Sequence, residues 1–505
     1  MADALAISLD ESRQLSLQQQ LYTGLRQDIL AGRLRPGERV PATRSLAVQL
    51  AISRTTAVLA YEQLLAEGYF EARRGAGTFV SRQLPDDTLR APDPVPAAAI
   101  SPRHAWRRLS RWGAHLADVR VGPAGGPALD ADEMSTERYR PMPFDFRPGR
   151  PDWDAFPHRI WSRLAARRWR QRSADLASYG DPAGYRPLRE AIAAHLALSR
   201  GVRCSVEQVV VVNGSQQGID LLFRLWLDRG DMAALEEPGY PGAALALRAH
   251  EAAILPVCVD EDGISVESLP PPETEHAPRL VYVTPSHQFP TGATLSLPRR
   301  LRLLEWAARR GALVVEDDYD SEFRYSGRPL ESLQGLDSNG VAAYVGSFSK
   351  ALFPPLRVGY VVLPPGLEAP FVAAKWLADR QTATPDQQVL SDFIQEGHFE
   401  RHLRRMRRLY QSRRDALLAA LSEQLCGIVT PGGDGAGLHL IAWLPQGWND
   451  RPIAARAAEL GVAVTPLSPY YQGDAGRPGL MLGFAALDES SIREGVCRLA
   501  QAVNM

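Results

Sequence analysis

The chain has 505 residues, 57 basic against 58 acidic side chains, 45% apolar residues and 23% charged ones. This is the make-up of a soluble globular protein too long for one domain, which suits a small domain joined to a large one. A formal net charge of −1 excludes a globally cationic nucleic-acid binder, so any DNA contact has to come from a local patch.

The N-terminal residues MADALAISLDES carry acids where a signal peptide needs basic residues. Leu17, Leu21, Leu25 and Ile29 then recur every four residues, predicting a helix with one apolar face. The Pro36-Gly37 turn breaks it, and a short helix is expected over Thr43–Ala51 with Leu46 and Leu50 facing inward. Ser53 reads as the N-cap of a third helix that buries Val58, Tyr61, Leu64 and Leu65 and stops at Gly68. Tyr69 to Val80 predicts two strands around the turn Arg73-Arg74-Gly75-Ala76-Gly77.

Helix, turn, helix and hairpin in that order make a winged helix over residues 14–82. Its third helix would enter the major groove with Ser53, Arg54, Thr55 and Thr56 toward the bases. Arginine suits guanine edges or phosphates, and hydroxyls suit either. Arg44 suits a phosphate, as does Arg73 or Arg74, and Gly75 and Gly77 let the wing backbone approach the minor groove. The segment through Arg82 is slightly basic, with ten arginines against eight acids.

From Gln83 to Pro143 prolines, alanines and glycines dominate, a linker composition (83–143) with a short basic helix possible between Arg103 and Ala117. From Phe144 onward short apolar strands (Val209–Val212, Met232–Leu235, Leu280–Thr284, Leu313–Glu316, Ala342–Gly346) alternate with helical stretches. That alternation predicts an α/β domain over 144–505 with a mostly parallel sheet, ending after Pro431 in a smaller α+β lobe. No apolar run is long enough to cross a bilayer. Four scattered cysteines without a C-x-x-C pair point to a reducing cytoplasm and to no zinc site or disulfide framework.

Only two of the basic residues are lysines, Lys350 and Lys375. Lys350 closes Gly346-Ser347-Phe348-Ser349-Lys350 directly after a strand, a placement that suits a Schiff base to pyridoxal phosphate, with burial making the amine nucleophilic. Arg357 can pair with the cofactor phosphate. Asn213-Gly-Ser-Gln-Gln-Gly218 runs from a strand into a helix whose first N–H groups suit a phosphate. Leu313-Val-Val-Glu-Asp-Asp-Tyr319 ends a strand in carboxylates, where Asp317 would keep a pyridine nitrogen protonated and Tyr319 would lie near the ring oxygen. Tyr240, in Glu236-Glu-Pro-Gly-Tyr-Pro241, could stack on the ring.

The strings Ile29–Pro41, Thr43–Ala47, Ser53–Thr56 and Gly75–Val80 resemble a GntR-type DNA-binding domain, and Phe144 to about Ala502 resembles the fold-type I aminotransferases. The combination, with Thr284-Pro-Ser-His-Gln-Phe-Pro-Thr-Gly292 and Glu316–Phe323, is similar to the MocR subfamily of bacterial regulators. The resemblance implies Ser215, Gln216 and Arg357 at the phosphate, Tyr240 stacking, Asp317 at the ring nitrogen and Lys350 as the Schiff-base lysine; Tyr319 and the flanking hydroxyls of Ser347 and Ser349 complete the candidate cofactor-binding residues. It also implies a homodimer in which Tyr179 of the partner subunit reaches the phosphate, double-stranded operator DNA as one partner and a small-molecule effector as another.

Two positions depart from a working transaminase. Phe289 stands where an asparagine usually bonds the ring oxygen, with His287 or Gln288 as candidate substitutes. Met481 stands where an arginine usually clamps a substrate carboxylate, a charge-assisted contact worth roughly 1.5–3 kcal/mol; Arg477 is nearby at the wrong spacing. These departures and the fused winged helix favour a sensor over the alternative, an active aminotransferase with an accessory DNA-binding domain. They also point to an effector that is pyridoxal phosphate itself or an amino compound without that clamp. Lys350, Asp317 and Arg357 together argue against a cofactor-free scaffold.

Overall fold

The computed structural model describes residues 9, 15–73, 75–84, 110–116, 142–171, 177–327, 331–473 and 476–504. The chain divides between Arg108 and Leu109 into two compact units.

In the first unit, α1 (Leu17–Leu30) starts in a capping box of Ser16 and Gln19, α2 spans Thr43–Gln49 and α3 spans Arg54–Ala66. The hairpin β1 (Phe70–Arg73) and β2 (Gly77–Val80) pairs antiparallel, Phe70 opposite Val80. Leu21, Leu25, Leu46 and Leu64 are fully buried. Ala57, Ala60 and Tyr61 fill the inner face of α3, while Val58 and Leu65, expected inside, are only half-buried. The small alanines let α3 lie close to α1 and α2, which moves the contact stripe one residue from the branched ones. The Ser53 hydroxyl accepts from Thr56 N at 3.0 Å and caps α3. Ser53→Ala should lower the unfolding free energy of this unit by about 1 kcal/mol in a urea titration.

Most of the expected linker lies outside the described residues. Within it, α4 (Arg111–Leu116) packs on the helix Pro241–Ala249 of the second unit.

The second unit is built on eight strands: β4 (Val209–Val212), β5 (Met232–Glu237), β6 (Ala253–Asp260), β7 (Gly263–Ile264), β8 (Leu280–Val283), β9 (Leu313–Asp318), β10 (Ala342–Ser347) and β11 (Gly359–Val362). Their order is β4-β11-β10-β9-β8-β5-β6-β7. The five central strands from β10 to β6 run parallel, and β11, β4 and β7 are antiparallel to their neighbours. Every residue of β4, β8, β9, β10 and β11 is buried, the pattern of a sheet covered on both faces. A short β3 (Phe144–Asp145) pairs with β14 (Val462–Ala463). The C-terminal lobe carries the antiparallel sheet β12 (Thr430–Gly432), β13 (His439–Trp443), β16 (Gly479–Gly483) and β15 (Thr465–Pro466). The arginine-rich helix His398–Gln424 is not merely a solvated face: Arg413 is buried and pairs with Asp152 at 2.7 Å. Among the described residues no helix is long and apolar enough to cross a membrane.

Candidate functional site

The carboxyl ends of parallel strands leave a crevice where side chains from several strands converge, and the expected cofactor residues gather there. β9 ends in three consecutive carboxylates, which the fold separates by task. Glu316 accepts from the backbone N–H groups of Leu333 and Gln334, each at 3.0 Å. Asp318 pairs with Arg200 at 2.7 Å and accepts from the Tyr344 hydroxyl at 2.6 Å. Asp317 accepts from the Tyr282 hydroxyl at 2.6 Å through one oxygen, and its other oxygen is buried without a hydrogen-bond partner. Burial, only partly offset by Tyr282, raises its pKa to about 7.

Lys350 follows β10 and points its Nζ at the Gly149 carbonyl, 2.9 Å away. A Cβ at Gly149 would lie 2.6 Å from that nitrogen, so glycine makes the space. Burial lowers the Lys350 pKa against the opposing pull of Asp320 and Asp317, and Arg357 lowers it further. The other lysine serves structure. Buried Lys375 pairs with Asp379 at 2.8 Å, and Asp379 in turn accepts from Asn213 and Gln217 at the turn before and within the helix Ser215–Trp226.

That helix begins without a side-chain cap, leaving its first N–H groups for an anion. Arg357 lies over the turn, donating to Asn213 O at 2.9 Å, and an added Cβ at Gly214 would fall 2.6 Å from its guanidinium. Ser347 and Ser349 are buried beside Lys350, their hydroxyls 3.0 Å apart. Ser215 opens the helix, but the Gln216 side chain turns elsewhere: it accepts from the Tyr240 hydroxyl at 3.0 Å and donates to Gly242 O at 3.0 Å. Gln216 thus positions Tyr240, whose ring stacks 6.5 Å from Tyr282. Tyr179 is exposed, with the Arg380 guanidinium 3.8 Å above its ring.

The groups fit pyridoxal phosphate. The unpartnered Asp317 oxygen suits a protonated ring nitrogen, Lys350 the carbonyl carbon, and Ser215, Ser347, Ser349 and Arg357 the phosphate. Tyr240 would cover the ring and Tyr319 would meet its oxygen. When bound, the cofactor supplies an electron sink at its ring. The chain would supply an amine at Lys350 whose charged form burial disfavours, the Asp317 carboxyl group, and anion-binding N–H groups.

Several residues here escaped sequence reasoning. Tyr282 hides in an apolar strand. Glu236 is fully buried at the end of β5, accepts from the hydroxyl and N–H of Thr284 at 2.6 and 3.1 Å, and is pushed up to about 7 by burial. Asp320 and His439 flank His287. Gln288 is no substitute for the missing asparagine: its amide is spent on Glu236, Pro238 O, Phe289 O and Thr291. Phe289 sets its ring edge-on to Tyr240, Tyr319, His439 and Tyr470. Met481 is fully buried with Ile441 and Leu467 in the cluster that Phe289 packs against, and Arg477 lies 5.0 Å over the Trp443 ring. The wall that a carboxylate clamp would occupy is apolar.

In the first unit Arg44, Ser53, Arg54 and Thr55 are exposed and Thr56 is half-exposed. Arg73 stacks 4.5 Å over Phe79 and pairs with Glu71 at 2.5 Å. A Cβ at Gly77 would crowd Arg39 at 3.1 Å. Arg74 lies outside the described residues.

Residues 157–499 match the family model of class I and II aminotransferases, and residues 17–80 match that of the gntR family of bacterial regulatory proteins. The chain is 39% identical to the "Probable rhizopine catabolism regulatory protein MocR" of Rhizobium meliloti, over 98% of this chain and 95% of that protein. It is 36% identical to the 2-aminoadipate transaminase of Thermus thermophilus, over 74% of this chain and 92% of that one. Among solved structures, the α-aminoadipate aminotransferase LysN of Thermus thermophilus superposes with a TM-score of 0.67 at 34% identity, covering 73% of this chain and 93% of that one.

Proposed function

The chain belongs to the class I and II aminotransferase family with a gntR-family head, the combination of the MocR-type regulators, and from that membership we propose how it works. It is a DNA-binding transcriptional regulator whose aminotransferase-like unit binds pyridoxal phosphate and reads a small molecule. The carrying observation is the pairing, in one chain, of exposed Arg54 and Thr55 at the start of a winged-helix recognition helix with the Asp317–Lys350 pocket.

The functional form is a cytoplasmic homodimer on double-stranded operator DNA, with Tyr179 of the partner subunit at the phosphate and two heads reading two half-sites. The effector is pyridoxal phosphate itself or an amine without a carboxylate held opposite Met481. An effector acts only by binding one arrangement of the dimer better than another.

The test selects duplexes from a random library with wild-type protein, then measures affinity with and without pyridoxal phosphate. A cofactor-dependent change in wild type that vanishes in Lys350→Ala supports the regulator. Steady turnover of an amino acid with a keto acid, without any effect on DNA binding, would revive the aminotransferase reading. In the same assay Arg54→Ala should weaken binding to the selected duplex by about 10- to 100-fold, the cost of one bidentate base contact. An unchanged affinity would remove Arg54 from the interface.

A further inference from the structure

Behind the pocket lies a buried polar cluster that the cofactor contacts above leave unexplained. His287 is 1% exposed and Asp320 2%. The Nδ1 atom of His287 is 3.1 and 3.2 Å from the two carboxylate oxygens of Asp320, and Nε2 is 3.3 Å from the Gly433 carbonyl. Both nitrogens therefore face acceptors. A lone pair on Nδ1 would be held against a carboxylate, so Nδ1 carries a hydrogen, and a second hydrogen on Nε2 would be donated to the Gly433 carbonyl. The hydroxyl oxygen of Tyr319 also lies 3.0 Å from Nδ1. Because Nδ1 is already protonated it cannot accept from the phenol, and the phenolic oxygen instead shares the Nδ1 hydrogen. The hydrogen of the Tyr319 hydroxyl is left to point elsewhere.

The imidazole sits in a space that two distant glycines create. A Cβ at Gly437 would fall 2.2 Å from His287 Cε1 and 2.5 Å from Asp320, and one at Gly292 would fall 2.9 Å from His287 Nε2. The charged and titratable groups facing His287 come from each packed element. Asp320 and Tyr319 follow β9, Arg324 lies further along that loop, His439 comes from β13, and Lys350 faces His439 from the end of β10. His439 donates from Nε2 to Pro290 O at 3.0 Å, and burial with the neighbouring His287 holds it down at about 4, so it stays neutral. Burial also works against charge on His287, but the Asp320 carboxylate outweighs it and raises the pKa.

Resting on the cofactor reading above, we propose that His287, held as an imidazolium by Asp320, is a positioning residue. It frees the Tyr319 hydroxyl hydrogen for the ring oxygen of the cofactor and so stands in for the amide whose place Phe289 takes. The contact acts through Tyr319, not directly. His287, Asp320 and His439 also bring donor atoms within 4.8 Å of one another, a set of the kind that holds a divalent cation. The hydrogen-bonded assignment is favoured because both His287 nitrogens already face protein acceptors.

The full-length protein loaded with pyridoxal phosphate is titrated over about pH 6 to 10, following the visible absorbance of the bound cofactor. The series comprises wild type, His287→Gln, Tyr319→Phe and the double variant. The expected result is a midpoint raised by about one pH unit in His287→Gln, because the ring oxygen loses a polarised donor. In the Tyr319→Phe background the same change should shift the midpoint less than half as far. A midpoint unmoved by His287→Gln, or single effects that add in full, overturns the proposal. So does one equivalent of zinc retained through dialysis. Nitrogen-15 spectra of histidine-labelled wild type need no variant to fold: at about pH 6.5, where an ordinary imidazole is half charged, His287 is expected to carry protons mostly on both nitrogens, and one bare nitrogen overturns the proposal. Failure of wild type to give any visible band would sink the cofactor reading itself, and the nitrogen spectra would still decide the state of His287.

Discussion

Lys350→Ala is expected to abolish the visible absorbance that pyridoxal phosphate acquires on the wild-type protein, and with it retention of the cofactor through dialysis. The amine is unusually well prepared. Burial and the Arg357 charge press it toward the neutral form while Asp317 and Asp320 pull the other way, which leaves a nucleophilic fraction near neutral pH that an exposed lysine lacks. No other side chain can take over, because Lys375 is buried against Asp379. Arg357, Ser347 and Ser349, proposed to hold the phosphate, remain in the variant, so weak non-covalent binding should persist, seen as protection by millimolar cofactor in a thermal melt. A variant spectrum identical to wild type after dialysis would remove Lys350 from the site.

The second large effect is on stability as a function of pH. The Asp317 carboxyl titrates at about 7 in the folded chain against an ordinary value of 3.8, with burial as the main cause. A folded-state pKa above the unfolded one means that the native state holds the proton more tightly. The stabilisation is complete below about pH 4 and is lost as pH rises through about 7. Glu236 and Glu322, each raised to about 7 by burial, act in the same window and the same direction. Cofactor-free protein should therefore show a lower urea midpoint at pH 8 than at pH 5.5. Asp317 alone accounts for a difference on the order of a few kcal/mol. Asp317→Asn should flatten the profile. In wild type, pyridoxal phosphate should narrow the gap, since a cationic ring nitrogen beside the unpartnered oxygen favours the ionised carboxyl; in the variant it should not. Parallel profiles for wild type and variant would rule out this role for Asp317.

Much of this was legible in the chain because the relevant signals are local. Ser53 before an apolar helix, Val209–Val212 running into a small-residue turn, and a strand ending in Lys350 each carry their own physical meaning over a few residues. The choice among Glu316, Asp317 and Asp318 was harder. What separates them is that Arg200 and Tyr344 take one and two backbone N–H groups take another, partners spread over more than a hundred positions. The His287–Asp320 pair was out of reach for the same reason. It depends on Gly292 and Gly437 leaving room, and no periodicity or spacing brings those loops together. Gln216 shows a third kind of gap: its position at the phosphate end follows from the motif, yet the side chain turns to Tyr240 because the hydroxyl and the Gly242 carbonyl are both in reach. In the head, Ala57 and Ala60 form the contact stripe where branched residues were expected, since helix packing distance, not hydrophobicity alone, decides which residue is inside.

The distribution of amines has a consequence for how cleanly this chain can count aldehyde molecules. Pyridoxal phosphate condenses with any accessible primary amine, and an ordinary protein of this size presents dozens of lysines that would soak it up unselectively. Here 55 of the 57 basic side chains are arginines, which do not form such bonds, and of the two lysines one is locked against Asp379 while the other faces the pocket. Borohydride reduction in the presence of cofactor should then fix about one equivalent per chain beyond the terminal amine. The protein's response to free aldehyde would follow a single binding isotherm, undistorted by a background of surface adducts.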